Sequence, residues 1–276
     1  MDFSRGLDIN AAAVSEALIR FIQEELSRIG YARLVAGVSG GVDSAVVTYL
    51  SVKAVGKANV VGIIMPYKTS SRENMQDAEE VIKRTGIKKY VVDISSQVDS
   101  YFELFPEADN VRRGNKMARE RMSVLYDISA LEKALVIGTS NKSEMLLGYG
   151  TIFGDLACAL NPIGNLYKTQ VWALADYLEI PKRIIAKAPS ADLYVGQSDE
   201  GEFGFTYEEV DQLLYLLFDK KYTPEQCREA GFSRQMTARV MEMANRNSFK
   251  GRPPVIADLA KILDRSPEKN PRERGK

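Results

Sequence analysis

The hydrophobic positions near the start of the chain follow first a helical and then an extended pattern. Apolar residues recur every three or four positions from Val14 to Ile29, after Asn10 as a candidate N-cap and before Gly30 as a stop. A short apolar run at 33–37 predicts a buried strand, and the segment 45–54 predicts the next helix. The chain therefore opens with an amphipathic helix, followed by a strand and a second helix.

The same alternation continues along the chain. Further strands are predicted at 60–65, 89–94 and 134–137, and further helices at 71–84, 114–133, 169–178 and 207–246. Strands that alternate with helices form a parallel sheet, whose two faces are both covered by helices. We predict a Rossmann-like α/β fold with helices on both faces of the sheet and additional C-terminal helices.

Two segments lack this periodicity. Residues 188–205 are rich in Gly, Pro, Ser and acidic residues, and long loops of this kind are often active-site lids, so we expect a mobile lid there. Residues 266–276 are charged and have no apolar period, which indicates a frayed, disordered tail. We therefore expect a single domain over residues 1–265.

Composition excludes several classes of protein. Lys and Arg number 37 and Asp and Glu number 37, so no net field attracts nucleic acid or an anionic membrane. No apolar run approaches the roughly 20 residues that span a bilayer, and the N-terminus has no signal-peptide pattern. We expect a cytoplasmic protein without nucleic-acid or membrane partners.

The composition also limits which residue types are available for catalysis. The chain contains no His, and its two cysteines, Cys158 and Cys227, are too few for a disulfide framework and are expected to be packed, reduced thiols. The commonest general base and metal ligand is therefore missing. Catalysis must use carboxylates, cations, hydroxyls, backbone amides and hard metal ions.

The strongest chemical signal lies between the first predicted strand and the following helix, where the sequence is VSGGVDS at 38–44. Its two glycines allow backbone N–H groups to approach phosphate oxygens, and the helix directs its positive dipole end at the same place. A carboxylate beside a polyphosphate is best explained as a magnesium ligand, which makes Asp43 a candidate. The alternative is a glycine-rich turn without a ligand, which leaves the hydroxyls and the carboxylate unexplained.

This run resembles the SGGxDS pyrophosphate loop of the N-type ATP pyrophosphatases, which include NAD synthetases, GMP synthetases, asparagine synthetases and tRNA-modifying enzymes. Further motifs resemble NAD synthetases in particular, and they lie at 115–122, 138–144, 148–162, 166–170 and 189–200. The resemblance extends from about residue 10 to residue 255. It implies an adenine nucleotide alpha-hydrolase-like fold and cleavage of ATP between the α and β phosphates.

The resemblance also implies site residues. ATP would be bound by Gly37, Val38, Ser39, Gly40, Gly41, Val42, Asp43, Ser44, Thr139, Lys168 and Ser190. Deamido-NAD would be bound by Asn115, Arg119, Glu144, Tyr149, Ile152, Asp155 and Lys250. Mg²⁺ would be held by Asp43 and Glu144, and Lys168 and Asp43 would be catalytic.

Several of these side chains have a second interpretation. Glu144 could simply complement a helix dipole, and Lys168 could be a solvated surface lysine. Asn115 and Arg119 lie one helical turn apart and could form an exposed polar helix face.

Four positions depart from the pattern of ammonia-dependent relatives. Ile152 stands where a lysine is usual, Ala159 where an aspartate is usual, Phe249 where a histidine is usual and Gly251 where an arginine is usual. The first three of these positions serve deamido-NAD in the family.

The implied reaction is that of a ligase. The nicotinate carboxylate of deamido-NAD is adenylated by ATP with release of pyrophosphate, and ammonia then displaces AMP to give NAD. Glutamine-using relatives carry an additional amidase domain. Because this chain starts close to its phosphate loop, free ammonia is the expected donor, with a separate glutaminase as the alternative.

The family resemblance also implies a quaternary state, and it has to be weighed against two competing functions. Relatives are homodimers, and the apolar face of the first helix could form the subunit interface or pack on its own sheet.

One competing function is a tRNA thiolase, which would need paired reactive cysteines and a basic surface. The other is a regulatory protein that binds ATP without turnover, which would not need Asp43, Glu144 and Lys168 together.

Overall fold

The core of the fold is a parallel sheet that runs through the first half of the chain. The computed structural model describes residues 3–190, 192–194, 196–252 and 255–257. The four strands are β1 (Leu34–Gly37), β2 (Val60–Ile64), β3 (Lys88–Val91) and β4 (Leu135–Val136). They are all parallel, in the order β3-β2-β1-β4, and a single parallel bridge between Ile137 and Leu160 extends the β4 edge. The predicted parallel sheet is confirmed.

Twelve α-helices are seen in the described part of the chain. They are α1 (Ala11–Ile29), α2 (Val42–Val55), α3 (Arg72–Thr85), α4 (Ser95–Phe102), α5 (Asn110–Glu132), α6 (Lys142–Leu147), α7 (Lys168–Tyr177), α8 (Lys182–Ile185), α9 (Asp199–Phe203), α10 (Tyr207–Leu214), α11 (Pro224–Glu229) and α12 (Arg234–Asn247). None of them is long and apolar enough to cross a membrane. The caps predicted for α1 are present, since the Asn10 side chain accepts from the N–H of Ala13 and Gly30 ends the helix at φ 84°.

Helices cover both faces of the sheet, as predicted. Leu34 and Ala36 of β1 pack in a cluster with α1, α2 and α7, whereas Val35 packs on the opposite face with Ile128 of α5. Successive side chains of a strand point to opposite faces, so a strand that is apolar throughout must be covered on both sides.

The apolar face of α1 is used within the chain. Ile22 and Leu26 are 0% and 3% exposed and belong to the same core cluster as α2 and α7. This packing favours the interpretation that α1 docks on its own domain rather than on a second subunit.

The prediction of one continuous helix at 207–246 is wrong. The chain instead forms α10, a π-helical turn at Tyr215–Asp219, α11 and α12. Lys221 at φ 60° and Gly231 at φ 108° reverse the backbone, and Pro224 starts a new helix behind the N-cap Thr223. Pro224 and Gly231 are the sequence signals for these breaks, because proline starts a helix and glycine ends one.

The C-terminal helices form a second core beside the sheet. It contains Phe203, Tyr207 and Val240, and Trp172 of α7 packs against both this cluster and the main core. The predicted lid at 188–205 therefore ends in an anchored helix, α9, whose Phe203 is 2% exposed. Mobility of the rest of that loop stays a prediction. The tail predicted at 266–276 lies outside the described residues, as does the C-terminal boundary of the predicted domain.

The carboxylate of Glu132, the last residue of α5, binds side chains of β3. Glu132 is 6% exposed and accepts from Lys88 Nζ at 2.5 Å and Tyr90 Oη at 2.6 Å, while Arg33 Nη1 lies 2.9 Å from its second oxygen. The hydrogen bonds from Lys88 and Tyr90 lower the pKa of Glu132 to about 2.

Replacing Glu132 with Gln will lower the free energy of unfolding at pH 7 by about 1–3 kcal/mol, because three donors lose a charged acceptor. Since the pKa is depressed in the folded state, this contribution exists above pH ~4.5 and disappears as the pH falls toward ~2. Urea unfolding of both proteins at several pH values measures it. Glu80→Gln, which removes an exposed pair with Arg84, is the control. A difference between Glu132→Gln and the parent protein that did not change with pH would contradict the assignment.

Candidate functional site

The site forms where the strand order reverses. The chain builds outward from β1 to β3 and then returns to place β4 on the other side of β1. In open parallel sheets, ligands bind outside the carboxyl ends of the strands at such a switch point. The segments 37–44 and 138–144 follow β1 and β4, and a cleft of about 830 Å³ opens between them.

The phosphate loop is a tight, hydrogen-bonded turn into α2. The hydroxyls of Ser39 and Ser44 lie 3.1 Å apart, and the N–H of Gly41 donates to Ser39 Oγ at 3.2 Å. Gly40 has φ +83°, and a Cβ there would lie 2.2 Å from the carbonyl oxygen of Asn74 in α3. The first N–H groups of a helix have no acceptor in a preceding turn, so the start of α2 offers donors for an anion.

A buried lysine lies at the centre of the site. Lys168 begins α7, is 3% exposed and donates to Asp43 Oδ2, and its Nζ is 3.8 Å from Glu144 Oε1. Burial by itself would lower the pKa of Lys168, but the carboxylates of Asp43 and Glu144 outweigh it and raise that pKa. The interpretation of Lys168 as a solvated surface lysine is therefore wrong.

Glu144 has the capping role that was the alternative interpretation for it, and its role in binding Mg²⁺ stays a prediction. It completes a capping box with Asn141 at the start of α6, and Asn141 Nδ2 donates to Asp43 Oδ1 at 3.0 Å. Burial, and next the charge of Asp43, raise the pKa of Glu144 well above its ordinary value. Both carboxylates lie beside the ammonium group of Lys168, which is the cation that they share.

The carboxylates of Asp43 and Glu144 fit Mg²⁺, which binds through one or two carboxylates together with substrate phosphates and water. No cluster of three or more His, Cys, Asp or Glu residues able to hold a metal ion occurs among the described residues.

A second carboxylate network holds Lys168 in place, and the sequence did not reveal it. Asp211 is fully buried and accepts from Ser143 Oγ at 2.5 Å and from Thr169 N and Oγ1 at 2.8 and 2.9 Å. Ser143 Oγ in turn accepts from the N–H of Lys168 at 3.0 Å. Burial raises the pKa of Asp211 to about 6. The available signal was an acidic residue on the apolar face of a predicted helix, one turn after Tyr207.

A third carboxylate approaches Lys168 from α9. Asp199 is 4% exposed and accepts from Tyr207 Oη at 3.1 Å, and the Tyr207 ring lies 5.4 Å from Lys168 Nζ. Burial raises the pKa of Asp199. The anchored end of the predicted lid therefore contributes charge to the site.

Most of the residues predicted to bind deamido-NAD line the same cleft. Asn115, Tyr149, Asp155 and Lys250 line the cleft, together with Thr139 and Ser190 from the ATP set. Thr151 connects two of them, since its hydroxyl donates to Asn115 Oδ1 at 2.7 Å and its N–H donates to Asp155 Oδ1 at 2.8 Å. Enclosure by the cleft wall raises the pKa of Asp155 and lowers that of Lys250.

Two predicted residues lie apart from this wall. Arg119 is exposed, and its Nε donates to the carbonyl oxygen of Ile152 at 3.3 Å. Neither side chain lines the cleft. The structure thus separates Arg119 from Asn115, although both lie one turn apart on α5.

Comparison with known proteins identifies relatives over most of the chain. The family described as NAD synthase matches residues 14–254. An NH(3)-dependent NAD(+) synthetase of Trichlorobacter lovleyi is 50% identical over 260 residues, which cover 94% of this chain and 95% of that protein.

Two solved structures share the fold. The NMN synthetase from Francisella tularensis has a TM-score of 0.81 and 34% identity, and the match covers 91% of this chain and 100% of that one. The NH3-dependent NAD synthetase from Campylobacter jejuni, solved with a nitrate ion, has a TM-score of 0.77 and 36% identity with the same coverage. From its sequence and its structure, the chain belongs to the NAD synthase family.

Proposed function

We propose that the chain is a ligase that converts deamido-NAD, ATP and ammonia into NAD, AMP and pyrophosphate. The observation that carries this proposal is the buried Lys168, held between Asp43 and Glu144 beside a glycine-rich phosphate loop. The 50% identity to an NH(3)-dependent NAD(+) synthetase supports it. A protein that only sensed ATP would have no need of this buried cation among carboxylates.

Amide formation needs a better leaving group than oxide, and adenylation provides one. In the first step an oxygen of the nicotinate carboxylate attacks the α-phosphorus, the new O–P bond forms and the bond to the β-phosphate oxygen breaks, so pyrophosphate leaves. In the second step ammonia attacks the acyl carbon, AMP leaves with the bonding electron pair and a proton is released. Neither step needs a nucleophile from the protein.

The side chains then bind, orient and neutralise charge. The N–H groups at the start of α2 and the hydroxyls of Ser39 and Ser44 would bind phosphate oxygens, and Lys168 would neutralise the departing pyrophosphate. Asp43 and Glu144 would hold Mg²⁺, which supplies positive charge to the phosphates when bound. Thr139 and Ser190 would complete the ATP contacts.

The acid substrate would occupy the wall formed by Asn115, Tyr149, Asp155 and Lys250. Arg119 and Ile152 lie beyond the rim, where a second subunit could bring the substrate to them. Exposed apolar side chains surround this rim, with Val111 at 71% and Phe153 at 59% exposed. We propose a homodimer that buries this surface and completes the binding site for the dinucleotide.

Ammonia is proposed as the direct nitrogen donor, because the match covers nearly the full length of an NH(3)-dependent relative. A separate glutaminase that delivers ammonia remains the alternative. The cytoplasmic location stays a prediction.

A second candidate substrate is the mononucleotide, nicotinate mononucleotide. The Francisella tularensis structure, an NMN synthetase, matches with a TM-score of 0.81. The departures at Ile152 and Phe249 fall on positions expected to serve the dinucleotide, and Phe249 is 57% exposed. Both observations favour a substrate that lacks the second nucleotide.

The direct test is a substrate panel. The purified protein is incubated with ATP, Mg²⁺ and ammonium, with deamido-NAD or nicotinate mononucleotide as the acid, and AMP, pyrophosphate and the amide product are measured. We expect stoichiometric AMP, pyrophosphate and NAD. Turnover confined to the mononucleotide would establish the second candidate, and ADP formation or the absence of turnover would overturn both.

A further inference from the structure

Four cationic side chains line the cleft within the described part of the chain: Arg121, Lys168, Lys187 and Lys250. Each of the three lysines has an acceptor within the protein. Lys168 binds Asp43, Lys187 binds Asp77 and lies 2.7 Å from Asn74 Oδ1, and Lys250 donates to two backbone carbonyl oxygens at 2.8 and 3.0 Å. The lysines are therefore held in place before any substrate binds.

Arg121 is different. Its Nε donates to the carbonyl oxygen of Met65, just after β2, at 3.1 Å. Over residues 3–190, 192–194, 196–252 and 255–257, its two terminal nitrogens have no hydrogen-bond acceptor, and no carboxylate lies within 4.0 Å of the guanidinium. A guanidinium has five N–H donors, so four of them remain for a ligand.

Arg121 is partly buried and lines the cleft, so its open donors lie where a ligand could reach them. Burial lowers the pKa of Arg121, and Asp192 and Asp155 counteract it only from a distance. A partly buried charge has lost some of its hydration, and proteins normally compensate it with a counter-ion or with hydrogen bonds. The planar fork of a guanidinium matches the paired oxygens of a phosphate or a carboxylate.

The position of Arg121 brings it close to both expected substrates. Arg121 and Asn115 both come from α5 and both line the cleft, and Asn115 belongs to the wall proposed for the acid substrate. Met65, its backbone partner, lies beside Gly37 at the base of the phosphate loop, since a Cβ at Gly37 would be 3.3 Å from Met65 Cε. Two anions must meet between these surfaces before the α-phosphorus is attacked.

We propose that Arg121 is a further substrate-binding residue, whose terminal nitrogens hold a pair of oxygens of a substrate oxyanion. The ligand is a phosphate of ATP or a phosphate or carboxylate of the acid substrate. This proposal rests on the proposed function and adds a binding group to it. The guanidinium would reduce the repulsion between the two anions and fix their relative orientation.

The test uses Arg121→Met, which keeps the apolar stem, and Arg121→Lys, which keeps the charge without the fork. Arg84→Met is the control, because Arg84 is exposed and pairs only with Glu80 in the described structure. Steady-state kinetics give kcat and both KM values. Calorimetric titration of ATP alone and of deamido-NAD alone shows which substrate loses affinity.

We expect Arg121→Met to lower kcat/KM by at least about 100-fold, as for loss of a charge-assisted bidentate contact. Arg121→Lys should recover only part of this loss, and Arg84→Met should match the parent protein. The thermal midpoint of Arg121→Met without ligand should stay close to that of the parent, because an uncompensated charge has been removed.

The opposite results would overturn the proposal. If Arg121 serves only to hold Met65, Arg121→Met will lower the thermal midpoint while leaving both binding affinities and both KM values unchanged. The titrations remain informative if the parent protein fails to amidate either acid, since they do not depend on turnover. In that case the proposed function fails, while unchanged ATP and deamido-NAD affinities in Arg121→Met would separately refute the role of Arg121.

Discussion

Replacing Lys168 with Met will slow pyrophosphate release by at least about 100-fold under saturating ATP and Mg²⁺, as for the loss of one preorganised charge in a water-excluded site. Methionine keeps the length of the stem, so the change removes the ammonium group and little else. It also leaves Asp43 and Glu144 without the cation that lies between them. Their repulsion then favours protonation of one carboxylate, which weakens the proposed Mg²⁺ site.

The structure adds a stability cost that the sequence did not suggest. Because Lys168 is 3% exposed and paired, its removal breaks a buried ion network, which typically costs about 3–5 kcal/mol. Rapid-quench single-turnover measurements at a temperature where unfolding curves show the variant to be folded separate the two effects. Lys89→Met, which removes an exposed pair with Glu79, is the control. Unchanged single-turnover rates in folded Lys168→Met would remove Lys168 from the reaction.

Replacing Gly40 with Ala will lower kcat/KM for ATP by at least about 100-fold, because the phosphate loop cannot keep its conformation. The added Cβ would lie 2.2 Å from the backbone oxygen of Asn74, so either the loop or α3 must move. The positive φ of +83° adds about 1 kcal/mol of backbone strain for any L-residue.

Gly30→Ala is a matched control for the strain alone. Gly30 has φ +84° at the end of α1, and a Cβ there meets nothing within 4 Å. We expect Gly30→Ala to lose about 1 kcal/mol of stability and to keep its activity. The measurements are kcat/KM for ATP and the free energy of unfolding of both variants. Equal activity of the two variants would show that the contact between the loop and α3 is unimportant.

Absence of histidine affects how the site responds to pH. Burial raises the pKa of Asp211 to about 6, and burial together with the charge of Asp43 raises the pKa of Glu144 above its ordinary value. Asp211 positions Ser143 and Thr169 around the start of α7, whereas Glu144 lies beside Lys168. With a pKa of about 6, the carboxyl group of Asp211 lies in the range in which an imidazole group titrates in other proteins.

Local sequence was sufficient for the elements that depend on local forces. The periods of the apolar residues located β1 and β2, and the caps of α1 were readable because capping is a contact between residues three or four positions apart. The phosphate loop was readable for the same reason, since its glycines, hydroxyls and carboxylate all lie within 37–44. The breaks between α10, α11 and α12 were missed although Pro224 and Gly231 mark them, because the apolar residues before and after them each have a helical period.

Contacts between distant segments were decided only by the tertiary structure. Asp43 and Lys168 are 125 positions apart, and nothing local to either residue shows that one is buried against the other. The same holds for Asp211 beneath α7, for the open donors of Arg121 and for the outward direction of Arg119. Each depends on how helices pack around the sheet, because packing sets which side chains lose water, and the loss of water determines which charges must find a partner.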